Sequence, residues 1–228
     1  TALCLEWREL VVRIEGEIAL DFKKSFFVSW ENFSGKINPK SLGKIVHKSF
    51  EILNEMPSAF YKPTERRYIR LINGAKKEIL IETPYFIPSF EVMLALSKAI
   101  KRGVVVKLIT PLESDVAAVD ILRSLYLGRM HQKGLKIFYY KKSVLHAKLL
   151  IVDTKFFLFG SSNLDYRSFL HQHDLNVFGH DQKMVRALKR HFKETLRMSE
   201  KFDYGEWKSR SSLLKIAENF LNIFREYF

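Results

Sequence analysis

The 228-residue chain is 47% hydrophobic and carries 38 Lys+Arg against 25 Asp+Glu, a net charge of +13. That length and apolar content support the core of one large or two small domains and exclude a disordered tail, while 10 Gly and 6 Pro exclude a fibrous or low-complexity chain. A single cysteine, Cys4, excludes a disulfide-stapled scaffold, no apolar run approaches the roughly 18–20 residues of a membrane span, and the excess of positive charge points to nucleic acid, anionic lipid or a phosphate-bearing substrate.

Residues 1–13 lack the basic start and unbroken apolar stretch of a signal peptide. Their beginning on Thr1 rather than Met points to sequence upstream. Alternation after Leu10 predicts a strand from Trp7 to Gly16, and Ile18, Phe22, Phe26 and Trp30 share one face of a helix that follows. Gly35, Pro39, Gly43, Pro57 and Pro63 mark residues 35–63 as a connecting segment, with one strand around Lys44 to Phe50. From there a βαβ rhythm takes over. Thr64 caps a helix running to Lys76; Glu78–Glu82 is a short buried strand; Phe90–Arg102 is an amphipathic helix closed by Gly103. Val104–Ile109 is a second strand, Asp115–Lys133 a helix closed by Gly134, and Leu135–Tyr140 a third strand. Lys148–Val152 and Phe156–Phe159 read as a hairpin, followed by a strand near Leu175–Phe178. Two helices finish the chain, with apolar stripes Met184, Leu188, Phe192, Leu196 and Leu213, Ile216, Phe220, Phe224. The expected class is α/β, a mixed and mostly parallel sheet with helices on both faces. Both final stripes are read most simply as core packing, the second with a membrane-surface role as the alternative. No internal repeat is evident.

The chemistry concentrates in Leu145-His146-Ala147-Lys148 and in Gly160-Ser161-Ser162-Asn163. His146 and Lys148 are two apart on a strand, so both side chains leave one face of an otherwise apolar element. A phosphodiester gives such a pair its reason. An imidazole attacks phosphorus, and an ammonium beside it holds the oxygens on which negative charge builds. The amides, hydroxyls and carboxamide of the Gly160–Asn163 turn, Ser161 and Asn163 in particular, are candidate donors to the same oxygens. A carboxylate on the far side of the imidazole would fix its tautomer, and Asp174 is the candidate.

These residues resemble the phospholipase D superfamily. The pattern His-x-Lys-x4-Asp-x6-Gly-Ser-x-Asn is met at His146, Lys148, Asp153, Gly160, Ser161 and Asn163. Thr83-Pro84-Tyr85-Phe86-Ile87-Pro88, Ser114-Asp115, the run Asn163–Phe169, and Trp207 with Arg210 look like the bacterial cardiolipin synthase branch. Trp7-Arg8-Glu9 and Gly16, followed by Phe26 and Trp30, look like the closing strand and helix of that family's first lobe. The resemblance implies a two-motif active site in which one histidine becomes phosphohistidine and the other protonates the leaving alcohol. It implies phosphatidylglycerol as substrate and no metal or organic cofactor. Its catalytic positions fall on His146, Lys148, Asp153, Asn163 and Asp174, with Ser161 and Tyr85 on the substrate side. As a residue read by itself, Asp153 is rather a turn carboxylate that supports the motif.

Only the second motif is present, because His47-Lys48 is adjacent rather than alternating and lacks the downstream Asp and Gly-Ser-x-Asn. The expected organisation is therefore a fragment: residues 1–34 close a truncated first lobe, 35–63 connect, and 64–228 form the second lobe. Where the family has an apolar–Asn–aromatic–Glu run, this chain has His171-Gln172-His173-Asp174, one methylene short at the carboxylate. The partners implied are an anionic phospholipid and a membrane surface, met peripherally at the bacterial cytoplasmic face, and a second motif-bearing half or a homodimer partner. Two other readings stay open: a silent fragment that retains lipid or phosphate binding, and a nucleic-acid phosphodiesterase, which the charge permits. His171, His173 and His180 invite a zinc reading, but their spacing fits no catalytic zinc signature.

Overall fold

A nine-stranded sheet forms the centre of the computed structural model, which describes residues 7–33, 45–58 and 60–228. Cys4 and most of the first part of the expected connecting segment lie outside the described residues. In chain order the first strands and helices are Trp7–Arg8 (β1), Ile18–Phe33 (α1), Ile45–His47 (β2), Phe50–Glu55 (β3), Pro63–Gly74 (α2) and Glu78–Glu82 (β4). Phe86–Ile87 (β5), Phe90–Lys101 (α3), Val105–Pro111 (β6), Ala117–His131 (α4), Lys136–Tyr140 (β7) and Val144–Leu145 (β8) follow. Leu149–Val152 (β9), Phe156–Gly160 (β10), Leu164–Asp165 (β11), Tyr166–Leu170 (α5) and Asp174–Gly179 (β12) carry the motif region. The chain ends with Gln182–Arg197 (α6), Ser199–Lys201 (β13), Tyr204–Lys208 (α7) and Ser212–Ile223 (α8).

The sheet order is β13-β7-β6-β4-β9-β10-β12-β3-β2. Alternation along β4 explains the two layers: Ile79 and Ile81 point into a core with α2, α3 and α4, and Leu80 points into a second core with α6. Both faces being covered, β4 and β9 are apolar throughout their centres, as strands buried on two sides require. The α/β class with helices on both faces therefore holds. Parallel pairing, however, is confined to β4–β6 and β6–β7; every other neighbour in this sheet is antiparallel. The expected excess of parallel pairs came from three strand–helix alternations, while the rest of the sheet combines the hairpins β9–β10 and β2–β3 with longer-range antiparallel pairs of β4 with β9, β7 with β13, and β12 with β10 and β3.

The expected connecting segment contributes more than a link. Phe50–Glu55 pairs antiparallel along the whole of β12 from Glu55–Asp174 to Phe50–Gly179, and β2 closes that edge. At the opposite end of the chain order, hydrogen-bonded strand from Trp7 to Gly16 is limited to Trp7–Arg8, which pairs in parallel with β8. On α1 the inward face is Ile18, Phe22 and Ser25, whose hydroxyl donates to Asn54 Oδ1 at 2.6 Å; Phe26 and Trp30 are exposed. Pro63, not Thr64, begins α2, since a proline's missing N–H is harmless in the first turn. Thr64 instead turns inward, where it bonds Glu55 and Asn176. On α6 the predicted stripe packs as expected, with Leu188 and Phe192 buried. On α8 it does not: Leu213, Ile216, Phe220 and Phe224 face outward, and the fully buried position is Glu218. Helical periodicity marks a stripe without saying which side of it the protein occupies; the ion pair of Glu218 with Arg210 decides the orientation.

Candidate active site

The turn between β8 and β9 places His146 and Lys148, and the turn after β10 places Ser161 and Asn163, around one cleft of about 710 Å³. Tyr85, Glu9, Gln172 and apolar residues including Leu10, Phe22, Phe159 and Val177 complete its walls. The pair at the centre emerges just before β9 rather than within it, and both residues line the cleft.

His146 is held on three sides by the N-terminal strand. Its backbone N–H donates to Arg8 O at 2.9 Å, its ring lies 4.2 Å from the Trp7 ring, and its Nδ1 bonds Glu9 Oε1 at 2.5 Å. With Glu9 accepting from Nδ1–H, the lone pair sits on Nε2. The expected partner, Asp174, is occupied elsewhere: its Oδ1 accepts from Ser161 Oγ at 2.6 Å, and its Oδ2 is buried without a hydrogen-bond partner. The shorter aspartate starts β12 and stays with that strand, so the longer Glu9 takes the imidazole. Glu9 was visible in the sequence only as part of Trp7-Arg8-Glu9; nothing local connects it to a histidine so far along the chain.

Lys148 is 7% exposed, and its Nζ donates to His146 O at 2.6 Å. Burial pushes its pKa down to about 8, opposed by the negative field of Glu9, Asp174, Asp165 and Asp115. Asp165, buried at the N-cap of α5, is pushed up to about 6 by burial, against hydrogen bonds from Ser168 and Asn163. Asn163 thus stands beside Asp165, while its own Oδ1 is buried without a partner.

The Gly160–Asn163 turn is fastened by β12. Ser161 N donates to Leu175 O at 3.0 Å and Leu175 N donates back to Ser161 Oγ at 3.0 Å. Asn176 is the hub: its Nδ2 donates to Ser162 Oγ and Thr64 Oγ1, and its Oδ1 accepts from Ser162 N. Sequence reasoning passed over Asn176, although a carboxamide inside Leu175-Asn176-Val177 is the signal that an apolar strand carries a polar task. Ser161 is consequently tied into the strand as well as lining the cleft. Tyr85 lines the cleft too and donates its hydroxyl to Asp115 Oδ1 at 2.5 Å. Its segment is pinned by the buried Arg123, which donates to Pro84 O, Thr110 Oγ1 and Leu112 O.

Asp153 lies at the far end of β9, outside the cleft. Its carboxylate accepts from the amides of Lys76, Lys77 and Glu78 at 2.7–3.0 Å, and although burial pulls its pKa up, these bonds hold it below the usual range. Those bonds also support a φ of 52° at Asp153 and 54° at Thr154 in the β9–β10 turn. The structural reading of Asp153 is the one the geometry matches, and its inclusion among catalytic positions is corrected. Among the described residues no cluster of three or more His, Cys, Asp or Glu is placed to hold a metal ion, so His171, His173 and His180 form no such group.

Behind the site, Glu55 faces Asp174 across the β3–β12 ladder. Its Oε2 accepts from Thr64 N at 3.0 Å, its Oε1 has no partner, and burial pushes its pKa up to about 7. Because the folded value lies above the unfolded 4.5, the stability associated with the neutral acid is complete below pH 4.5 and is lost as pH rises through 7. Glu55→Gln, which keeps the neutral shape, should therefore match the parent near pH 4.5 and exceed its stability by about 2 kcal/mol at pH 8. Urea unfolding at the two pH values measures this; an equal gap at both would show that Glu55 does not titrate in the fold.

Over residues 68–196 the chain matches the family described as "Cardiolipin synthase, PLD-like domain". A cardiolipin synthase of Listeria welshimeri is 32% identical over 220 residues, which cover 93% of this chain and 45% of that protein. The major cardiolipin synthase of Bacillus subtilis is 29% identical, with 93% and 46% covered. The chain thus spans about half the length of these curated relatives. Among solved structures, phosphatidylserine synthase of Haemophilus influenzae superposes with a TM-score of 0.65 at 14% identity, covering 78% of this chain and 48% of that one. Nuc of Salmonella typhimurium, a phospholipase D family member, gives 0.55 at 19% identity, covering 66% and 98%. At these identities the two structures share the fold.

Proposed function

Since this chain belongs to the phospholipase D superfamily, in the family of cardiolipin synthase domains, we propose that its cleft carries out one half of a phosphatidyl transfer on an anionic phospholipid, with phosphatidylglycerol as substrate. The observation that supports this reading most is the cleft pair itself: an imidazole oriented through Nδ1 by Glu9, beside a buried ammonium. In the proposed reaction Nε2 of His146 attacks phosphorus. The N–P bond forms, the bond from phosphorus to the headgroup alcohol breaks, and the imidazolium proton stays on Nδ1 against Glu9. Lys148 and the Asn163 side chain face the phosphate oxygens. A second alcohol, or water, then attacks phosphorus, takes the phosphatidyl group and frees the histidine.

Charge counting supports completion of the site by a second His-x-Lys set. Lys148 is the buried cation of the cleft, and four carboxylates act on it: Glu9, Asp174, Asp165 and Asp115. One cation so surrounded is a poor anion host, and a departing alkoxide needs a proton that His146, once phosphorylated, no longer supplies. The preceding half of a longer protein, or a second copy of this chain, would bring both the cation and the acid. Around the cleft the walls are substantially apolar, which favours a lipid over a nucleic acid.

The test is chemical trapping. The chain is incubated with phosphatidylglycerol, quenched in neutral denaturant because the N–P bond is acid-labile, and digested for mass spectrometry. A phosphatidyl adduct on His146, absent from His146→Ala, is the expected result. An adduct on another residue would overturn the assignment, as would equal turnover by the parent and His146→Ala.

A further inference from the structure

Helix α8 turns its larger apolar row outward, although Leu221 packs against the core. Inward it presents Glu218, fully buried, whose carboxylate accepts from Arg210 at 2.6 and 2.7 Å and from Ser124 Oγ at 2.8 Å. One turn on, Asn222 Oδ1 accepts from Tyr126 OH at 2.9 Å. Outward, the helix and the 3₁₀ turn Arg225–Tyr227 present Leu213, Ile216, Phe220, Ile223, Phe224 and Tyr227, which are 44–79% exposed. Their spacing of three, four, three, one and three residues keeps them on a single stripe. Single exposed apolar residues are ordinary, but a continuous row of six large ones marks a contact surface.

Charge indicates what that contact is. With Glu218 neutralised by Arg210, the charges left along residues 208–228 are Lys208, Lys215 and Arg225 against Glu226. An apolar stripe flanked by an excess of cations, on a chain of net charge +13, fits an anionic lipid surface. The position of the helix agrees. Its C-terminal end sits on α5: Phe228 O accepts from Arg167 N at 2.8 Å, Tyr227 stacks on His171 at 6.2 Å, and Arg225 lies 5.7 Å over the Tyr166 ring. Helix α5 runs between the Asn163 turn and Gln172, both of which line the cleft. Two further exposed aromatics border it. Phe90 is tied to α5 through its N–H, which donates to Tyr166 OH, and Phe60 follows Ser58, whose N–H donates to Leu170 O.

We propose that α8 is an interfacial helix: its stripe lies among the headgroups and upper acyl chains of an anionic bilayer and holds the mouth of the cleft at the depth of the lipid phosphates. This rests on the cleft taking a lipid phosphodiester. Two measurements separate the two ideas: binding of the chain to vesicles by flotation, and binding of dihexanoyl phosphatidylglycerol below its micellar concentration by calorimetry. The parent should float with phosphatidylglycerol-containing vesicles at least tenfold more strongly than with pure phosphatidylcholine. Ile216→Glu/Phe220→Glu should lose at least tenfold in vesicle binding and keep its affinity for the soluble lipid. As a check that does not depend on a tolerated charge, Phe220→Trp should add a blue-shifted emission on anionic vesicles that brominated lipid quenches.

Unchanged vesicle binding by the double variant, or an added indole emission in Phe220→Trp that vesicles do not shift, would overturn the proposal. So would a parent dimer that the double variant converts to monomers in sedimentation, because a second copy would then cover the stripe. Loss of soluble-lipid binding by the parent, with vesicle binding intact, would instead overturn the reading of the cleft and leave the interfacial helix standing.

Discussion

Lys148→Met is expected to weaken binding of dihexanoyl phosphatidylglycerol by about 10- to 100-fold, the range for a hydrogen bond to a charged group, while raising stability at neutral pH by about 1 kcal/mol. The two effects have one origin. Lys148 is 7% exposed, and burial lowers its pKa from 10.5 to about 8, so the fold carries a desolvated ammonium that the surrounding carboxylates stabilise only in part and a bound phosphate would stabilise further. Methionine fills similar volume without a charge, at the loss of the bond to His146 O. The sign with pH follows from linkage. Between pH 8 and 10.5 the unfolded amine still binds its proton and the folded one does not, so the parent gains stability across that window. The advantage of the variant should therefore be greatest below pH 8 and shrink toward pH 10.5. Lipid affinity in the parent should fall as pH passes 8 and stay flat in the variant. Calorimetric titration and denaturant melts over this range measure both; equal affinity in parent and variant at pH 7 would show that Lys148 is not the phosphate ligand.

Gly160→Ala should destabilise the chain by about 3 kcal/mol or more, with loss of the site geometry alongside. A Cβ on Gly160 would stand 2.3 Å from Leu175 O, 2.4 Å from Asn176 Oδ1 and 2.6 Å from Asn176 Cα. Two of those atoms are backbone, and the third belongs to the carboxamide that bonds Ser162 and Thr64, so no flexible side chain can yield. The glycine is needed for close approach and not for an unusual dihedral angle: it is paired directly with Asn176 where β10 meets β12. Forcing the strands apart there releases the turn bearing Ser161 and Asn163. Urea melts report the stability, and binding of soluble lipid under conditions where the variant is still folded reports the site. A variant as stable as the parent would mean that the β10–β12 contact is looser than described.

The course of the chain from Glu78 to Tyr140 was legible because the sequence punctuates it. Gly103 and Gly134, at φ values of 87° and 102°, end α3 and α4 where the helical patterns stop, and β4 has the predicted bounds to the residue. The His146–Lys148 pair and the Gly160–Asn163 turn were legible for another reason: polar residues that flank apolar strands stand out. What escaped was information that no local pattern holds. Asp174 and Glu9 are both carboxylates near apolar alternations, and only packing shows that one serves Ser161 and the other His146. The stripe of α8 has the period of a core helix; the reversal is written in Glu218 and Arg210, eight residues apart, whose pairing is a tertiary fact. The pairing of β3 with β12, one of the antiparallel contacts of the sheet, joins strands more than a hundred residues apart.

The bond between Glu9 and His146 joins residues 137 positions apart. Closing so long a loop is among the later and slower events available to a folding chain. Until it closes, no other described hydrogen bond fixes which ring nitrogen bears hydrogen, so the imidazole is free to exchange tautomers. On the proposed reading of the cleft, reactivity of His146 would thus appear in step with this long-range closure rather than with formation of the sheet.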